Sequence, residues 1–255
     1  LYSNTTAANN TALGYSAMFA NTTGTYNVAV GTYALDANTG NELWQHDTGA
    51  PILSVRGNSS AVILNSMLIA AFDNGKLIAF NSENGSLKWE TRLALPKGKT
   101  ELERMIDIDG KPLVIEDIVY SVSYQGRLGA LTRGTGRNLW LQDSSSHFSP
   151  AYNEGMLFVT EAKDDSISAF KAGNGVLAWK NDQLVHRELT GPASLSGNVA
   201  VADAEGYVHL ISSVDGSFVG RKKIDGSGVS SPLLVVGESL IIQANNGAVS
   251  AYKIQ

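Results

Sequence analysis

The 255-residue chain contains no cysteine. A disulfide scaffold, a thiolate zinc site and a cysteine nucleophile are therefore all excluded, since each needs the sulfur. Histidine is scarce: His46, His147, His186 and His209 lie far apart, and none has the spacing of a metal-ligand set. Positive charge is also thin. Lys and Arg number 19 against 24 Asp and Glu, a net charge of −5, with no basic run and no interleaving of basic and aromatic residues. Such a chain is a poor binder of phosphate backbones, so nucleic acid is not an expected partner. No apolar run approaches the ~20 residues of a membrane-spanning helix. The longest, such as "PLLVVGESLIIQA" from Pro232, are broken every few residues. The first residues, "LYSNTTAANN", have neither the basic nor the apolar region of a signal peptide. Two short motifs also fail. "PKGKT" (Pro96–Thr100) has Leu93 where a phosphate loop needs its first glycine, and "DIDG" lacks the third acid and the glutamate of a calcium loop. Sustained 3.6-residue periodicity is absent, so almost no helix is expected.

What the chain has is repetition. "ALDANTGNELW" ends at Trp44, "AFNSENGSLKW" at Trp89, "ALTRGTGRNLW" at Trp140 and "AFKAGNGVLAW" at Trp179. In each, Ala precedes Trp by ten residues and Gly precedes it by four, and these are all four tryptophans of the chain. A fifth copy, "LISSVDGSFVG" from Leu210 to Gly220, keeps the spacing but has lost both Ala and Trp. The copies are 45, 51, 39 and 41 residues apart, in the range of propeller blades. Each unit divides into four short apolar runs separated by turn signals such as Asp73-Asn74-Gly75 and Asn246-Gly247. The expected fold is all-β, a β-propeller of four-stranded blades with about five repeats present. A sheet of four strands buries little alone, so neighbouring sheets must pack face to face. A tryptophan fixed on the outer strand can lie against the next blade with its indole N–H on a polar partner there, and the small Ala is read as leaving room for that approach. The last unit shows only three strands, while the Trp44 strand stands without a blade of its own. That strand is available to complete the last blade and close the ring; an open arc of five is the alternative.

A second repeat system occupies residues 1–33. Asn4-Thr5-Thr6 matches Asn21-Thr22-Thr23, and Ala12-Leu13-Gly14 matches Ala29-Val30-Gly31, a period of 17 residues. It is rich in Asn and Thr with one short apolar strand per turn, a β-solenoid-like composition too short to bury a core alone. Two domains are expected, 1–33 and 34–255.

The Ala–Gly–Trp units resemble those of quinoprotein-type propellers. The runs "DTGAPILSVRGNSSAVI", "TELERMIDIDGKPLVIEDIVYSVSYQGRLGAL" and "NDQLVHRELTGPASLSGNVAVADAEGYVHLI" make residues 34–255 similar to the BamB family more closely, because the likeness extends into the loops. That resemblance implies a non-enzymatic periplasmic scaffold at the outer membrane, without cofactor. Its implied partners are the periplasmic (POTRA) domains of BamA and unfolded outer-membrane proteins. Family members are whole at eight blades and carry a lipidated N-terminal cysteine as their only membrane attachment; that cysteine is absent from this chain. In the family, an "L-x-[LV]-R-G" loop and a "D-x-D" loop contribute to BamA binding. The matching residues are Leu53, Val55 and Arg56, and Asp107 and Asp109. Read without the resemblance, Leu53 and Val55 fit a strand core and the Asp pair a solvated turn. Two other functions are weighed. A quinone-cofactor oxidoreductase would share the propeller, but there is neither an obvious ligand cluster nor the usual disulfide. An adhesin or fibre fragment follows from residues 1–33, which resemble the "N-x-A-[VI]-G" repeats of trimeric autotransporter heads and tail fibres.

Overall fold

In a computed structural model, the structure describes residues 11–13, 28–30, 43–47, 59–94 and 106–253, and all regular structure among them is β. The N-terminal repeat contributes β1 (Thr11–Leu13) and β2 (Val28–Val30), paired in parallel with Thr11 opposite Val28 and Leu13 opposite Val30. The register is the 17-residue period itself, so equivalent positions of the two copies stack.

Five antiparallel sheets follow in chain order. The first holds β3 (Val62–Leu64), β4 (Met67–Ala71), β5 (Lys76–Asn81) and β6 (Leu87–Arg92). The second holds β7 (Leu113–Ile115), β8 (Ile118–Val122), β9 (Arg127–Thr132) and β10 (Asn138–Asp143). The third holds β11 (Ala151–Asn153), β12 (Met156–Thr160), β13 (Ile167–Lys171) and β14 (Leu177–Asn181). The fourth holds β15 (Ala193–Leu195), β16 (Asn198–Ala202), β17 (Tyr207–Ser212) and β18 (Phe218–Lys223), and the last β19 (Leu234–Val236), β20 (Ser239–Gln243) and β21 (Val249–Lys253). Every sheet is a meander, and first strands of successive sheets touch, β11 to β15 and β15 to β19. Four of the six prolines, Pro112, Pro150, Pro192 and Pro232, stand one or two residues before a first strand. A residue without an N–H is tolerated there because the ladder has not begun.

Both faces of the middle strands are buried, which explains runs such as Leu77-Ile78-Ala79-Phe80, fully buried without a polar break. Leu77 and Ala79 pack with Val119 and Leu131 of the second sheet, while Ile78 and Phe80 face Trp44. Sheets two and three share Tyr120, Leu128, Leu157 and Phe170; sheets four and five share Ala200, Val208, Leu240 and Ile242. The core is a series of apolar layers between neighbouring sheets, as stacked blades require.

The tryptophans lock those layers. Trp89 Nε1 donates to the Arg133 carbonyl at 2.7 Å, Trp140 Nε1 to Ala172 at 2.9 Å, and Trp179 Nε1 to Ser213 at 3.1 Å. Each acceptor lies just beyond the third strand of the next sheet, and Trp44 makes the same bond to Ser82 at 3.3 Å. The indole covers the motif glycine of that next sheet. A methyl group added to Gly85, Gly136, Gly175 or Gly216 would lie 2.5 Å from the ring of Trp44, Trp89, Trp140 or Trp179 respectively. All four glycines have positive φ, between 66° and 75°, so the turn geometry and the ring above both exclude a side chain. The alanine has a different role from the one its spacing suggested. Ala79, Ala130 and Ala169 are the cross-strand partners of Trp89, Trp140 and Trp179 within their own sheets, and the register shifts beside each pair. Such a bulge bends the strand and re-aims its side chains.

Completion of the last blade by the Trp44 strand is not seen among the described residues. Residues 43–47 form no strand, and the last sheet has three strands among the described residues. Trp89→Ala is expected to destabilise the fold by ~3–5 kcal/mol, since it opens a cavity between two sheets. Gly136→Ala should cost about 1–3 kcal/mol by pushing the same ring away. Urea unfolding followed by far-ultraviolet circular dichroism measures both; an unchanged midpoint in Gly136→Ala contradicts the docking.

Candidate functional site: one rim of the stacked sheets

In a four-stranded meander, the turn between strands two and three and the crossover from strand four to the next sheet must emerge on the same rim. The structure ties them together repeatedly. The amides of Tyr124, Ala162, Ala204 and Asn245, each in a two–three turn, donate to the carbonyls of Asp107, Ser145, Arg187 and Gly228 at 2.7–3.1 Å. Each acceptor stands six residues before the first strand of its own sheet. These are equivalent positions, so Asp107, Ser145, Arg187 and Gly228 occupy the same place in successive crossovers.

Asp107 is fully buried and forms a β-bridge with Tyr124. Asp109 accepts from or shares a proton with His147 Nδ1 at 3.1 Å, and His147 stacks on the Tyr124 ring with centroids 4.2 Å apart. The Asp109 side chain is only 9% exposed, and its Oδ1 has no hydrogen-bond partner among the described residues. The Asp pair is thus not a solvated turn. It is held beneath the rim by Tyr124 of the next turn and His147 of the next crossover. Leu53, Val55 and Arg56 lie outside the described residues. The flanking Ser59 donates from Oγ to the Gly110 carbonyl at 3.0 Å, which joins the end of that segment to the Asp loop.

A second polar cluster lies further along the rim. Asp203, fully buried, accepts from Arg187 Nε at 2.7 Å and from His209 Nε2 at 2.8 Å. Its other oxygen accepts the amides of Glu205 and Tyr207, and Arg187 also reaches Glu205 at 2.8 Å. Burial acts against this carboxylate, but the hydrogen bonds from His209, the Tyr207 amide and Arg187 outweigh it and hold its pKa below the usual value. His147 and His209, which lack metal-ligand spacing in the sequence, each pair with an aspartate beneath the rim. The legible signal was positional: Arg187 shares the six-residue offset of Asp107. Among the described residues no group of three or more His, Asp and Glu could hold a metal ion.

Meander sheets stacked through docked tryptophans, with polar crossovers on one rim, define a PQQ-like repeat β-propeller, here present in part. Quinohemoprotein alcohol dehydrogenase from Comamonas testosteroni shares this fold at 11% identity and a TM-score of 0.56, over 79% of this chain and 44% of that one. The profile of the family described as outer membrane protein assembly factor BamB matches residues 11–181 and 163–255, and the chain belongs to that family. BamB of Pseudomonas aeruginosa is 41% identical over 82% of this chain and 55% of its own length. The crystal structure of BamB from Moraxella catarrhalis superposes with a TM-score of 0.79 at 28% identity, over 85% of this chain and 65% of that one. The chain spans about half the length of the curated relatives it matches.

The Asp203 cluster has a pH signature. Its folded pKa is depressed, so its stabilisation is complete above the unfolded value near 3.8 and is lost as pH falls through the lower folded value. Asp164, Asp215 and Asp225 are also lowered and titrate in the same acid range, so the test is a difference. Asp203→Asn is expected to cost about 3 kcal/mol at pH 7. That gap from the parent should narrow below pH 4 in chemical denaturation; a gap independent of pH contradicts the assignment.

Proposed function

We propose that the chain acts as a non-enzymatic scaffold of the outer-membrane β-barrel assembly machinery, on the periplasmic face of the outer membrane. Its partner is the periplasmic part of BamA, and the clients are outer-membrane proteins undergoing folding and insertion. The observation that carries this reading is the likeness to BamB in the rim loops, joined to the geometry of the Asp loop. Arg56 stands six residues before β3, the offset that separates Asp107 from β7 and Arg187 from β15. That sequence offset, with the Ser59–Gly110 bond beside it, supports assigning Leu53, Val55 and Arg56 to the contact.

The chemistry suits a protein contact. Two apolar side chains beside a guanidinium make a small hot spot, since Arg forms bidentate bonds and apolar neighbours exclude water. The Asp residues have another part. With Asp107 fully buried and Asp109 almost so, they hold the rim in shape and leave direct contact to Leu53, Val55 and Arg56. Residues 1–33 are proposed to form a separate repeat segment, supported by the 17-residue register of β1 and β2.

The test is capture by immobilised BamA periplasmic domains. Arg56→Glu is expected to weaken binding roughly tenfold or more with an unchanged melting temperature. Asp107→Asn should weaken binding and lower the melting temperature together. Full binding by an Arg56→Glu, Leu53→Ala double variant overturns the site, and no capture of the parent chain overturns the function.

A further inference from the structure

Between the first and second sheets, outboard of their shared core, lies a cavity of about 220 Å³. Arg92, Arg127, Gln125 and Asp143 supply its polar lining, and Leu93 and Leu141 its apolar wall. Arg92 ends β6, while Arg127 and Asp143 face each other across β9 and β10. None of these residues belongs to the proposed BamA contact, and the cavity stands independently of that reading.

The two guanidiniums are under-used. Arg127 Nε lies 3.6 Å from Asp143 Oδ1, beyond hydrogen-bond distance, and the Asp143 side chain is 94% exposed. Arg92 makes no ion pair with any described residue. Two other arginines are fully engaged, Arg187 with Asp203 and Glu205 at 2.7 and 2.8 Å and Arg133 with Asp117 at 2.5 Å, whereas Arg221 lies over the Tyr207 ring. A guanidinium carries five donors in a planar fork suited to a carboxylate. Among the described residues, two of them in one cavity with a single, loosely placed carboxylate leave one positive charge to balance.

Size and polarity narrow the ligand. The cavity is smaller than the ~300–1,000 Å³ typical of whole small-molecule sites, so it suits one side-chain-sized group. One monoanion neutralises it, whereas a phosphate dianion overshoots. Leu93 and Leu141 offer a wall for a few methylenes, and Gln125 an amide for a further hydrogen bond. We propose that this cavity receives a peptide carboxylate, held bidentately by Arg127 with Arg92 as the second cation. The carboxylate comes from a glutamate side chain or from a chain terminus, which present the same chemistry.

Nuclear magnetic resonance of the arginine Nε–Hε groups in the whole chain tests this. The probes are an acetylated, amidated Ala-Leu-Glu-Leu-Ala peptide, its Gln counterpart, and the Gln counterpart with a free terminal acid. The Glu peptide should shift the Arg127 signal saturably, and the amidated Gln peptide should not. Binding of the free-acid peptide supports the site and adds chain termini as a source; its failure leaves glutamate side chains as the ligand. Arg127→Lys keeps the charge and should bind the Glu peptide roughly tenfold more weakly, as should Arg92→Gln. Equal shifts with the amidated Gln peptide, or undiminished affinity in Arg127→Lys, overturn the proposal.

Discussion

The contact of each indole with the glycine of the following sheet is the constraint on which the remaining architecture depends. A four-stranded meander has two apolar faces and no means of covering either by itself. The tryptophan is large enough to span the gap to the next sheet, and its one polar atom finds a backbone carbonyl there, so burial leaves nothing unsatisfied. The glycine beneath it is required twice, by its left-handed backbone and by the ring that lies on it. Stability in such a stack is a sum of nearest-neighbour interfaces, and a change at one tryptophan is felt first at one interface.

The departure from the pattern is informative in the same terms. Gly220 stands where the fourth sheet would carry its tryptophan, and nothing lies within 4 Å of a methyl group added there. The fourth and fifth sheets instead rely on the apolar layer around Leu240 and Ile242, with Lys222 over the Tyr252 ring at 4.9 Å. The outer strand of that sheet, Phe218–Lys223, is mostly exposed and ends in three consecutive cations, which suit an uncovered edge.

With the stack held in this way, the rim is rigid enough to position loops. The buried carboxylate of Asp203 is matched to Arg187 of the crossover into its sheet, to His209 of β17 and to amides of its own turn. The Asp-x-Asp loop follows the same logic with His147 and Tyr124. Partners many residues away in the chain therefore shape the surface that a binding protein would meet, and loops on a firm β scaffold are a common place for recognition.

Much of this was readable in the chain itself. The spacing of Ala, Gly and Trp determined the number of sheets, the place of each tryptophan and its use against the next sheet, because a repeat that cannot bury itself must bury its neighbour. The 17-residue period likewise set the register of β1 against β2. What remained illegible depended on contacts between strands, turns and crossovers that spacing does not reveal. The alanine proved to face its own tryptophan, since a cross-strand register is invisible in a spacing of ten. Asp107 and Asp109 proved to be buried, because the groups that cover them come from the next crossover and turn. The pairing of Arg187 and His209 on Asp203 within the fourth sheet, and the meeting of Arg92 with the loosely paired Arg127 beside the first two sheets, were likewise decided only by folding. Local pattern determines which face of a strand is buried; only the tertiary packing decides which charges that burial brings together.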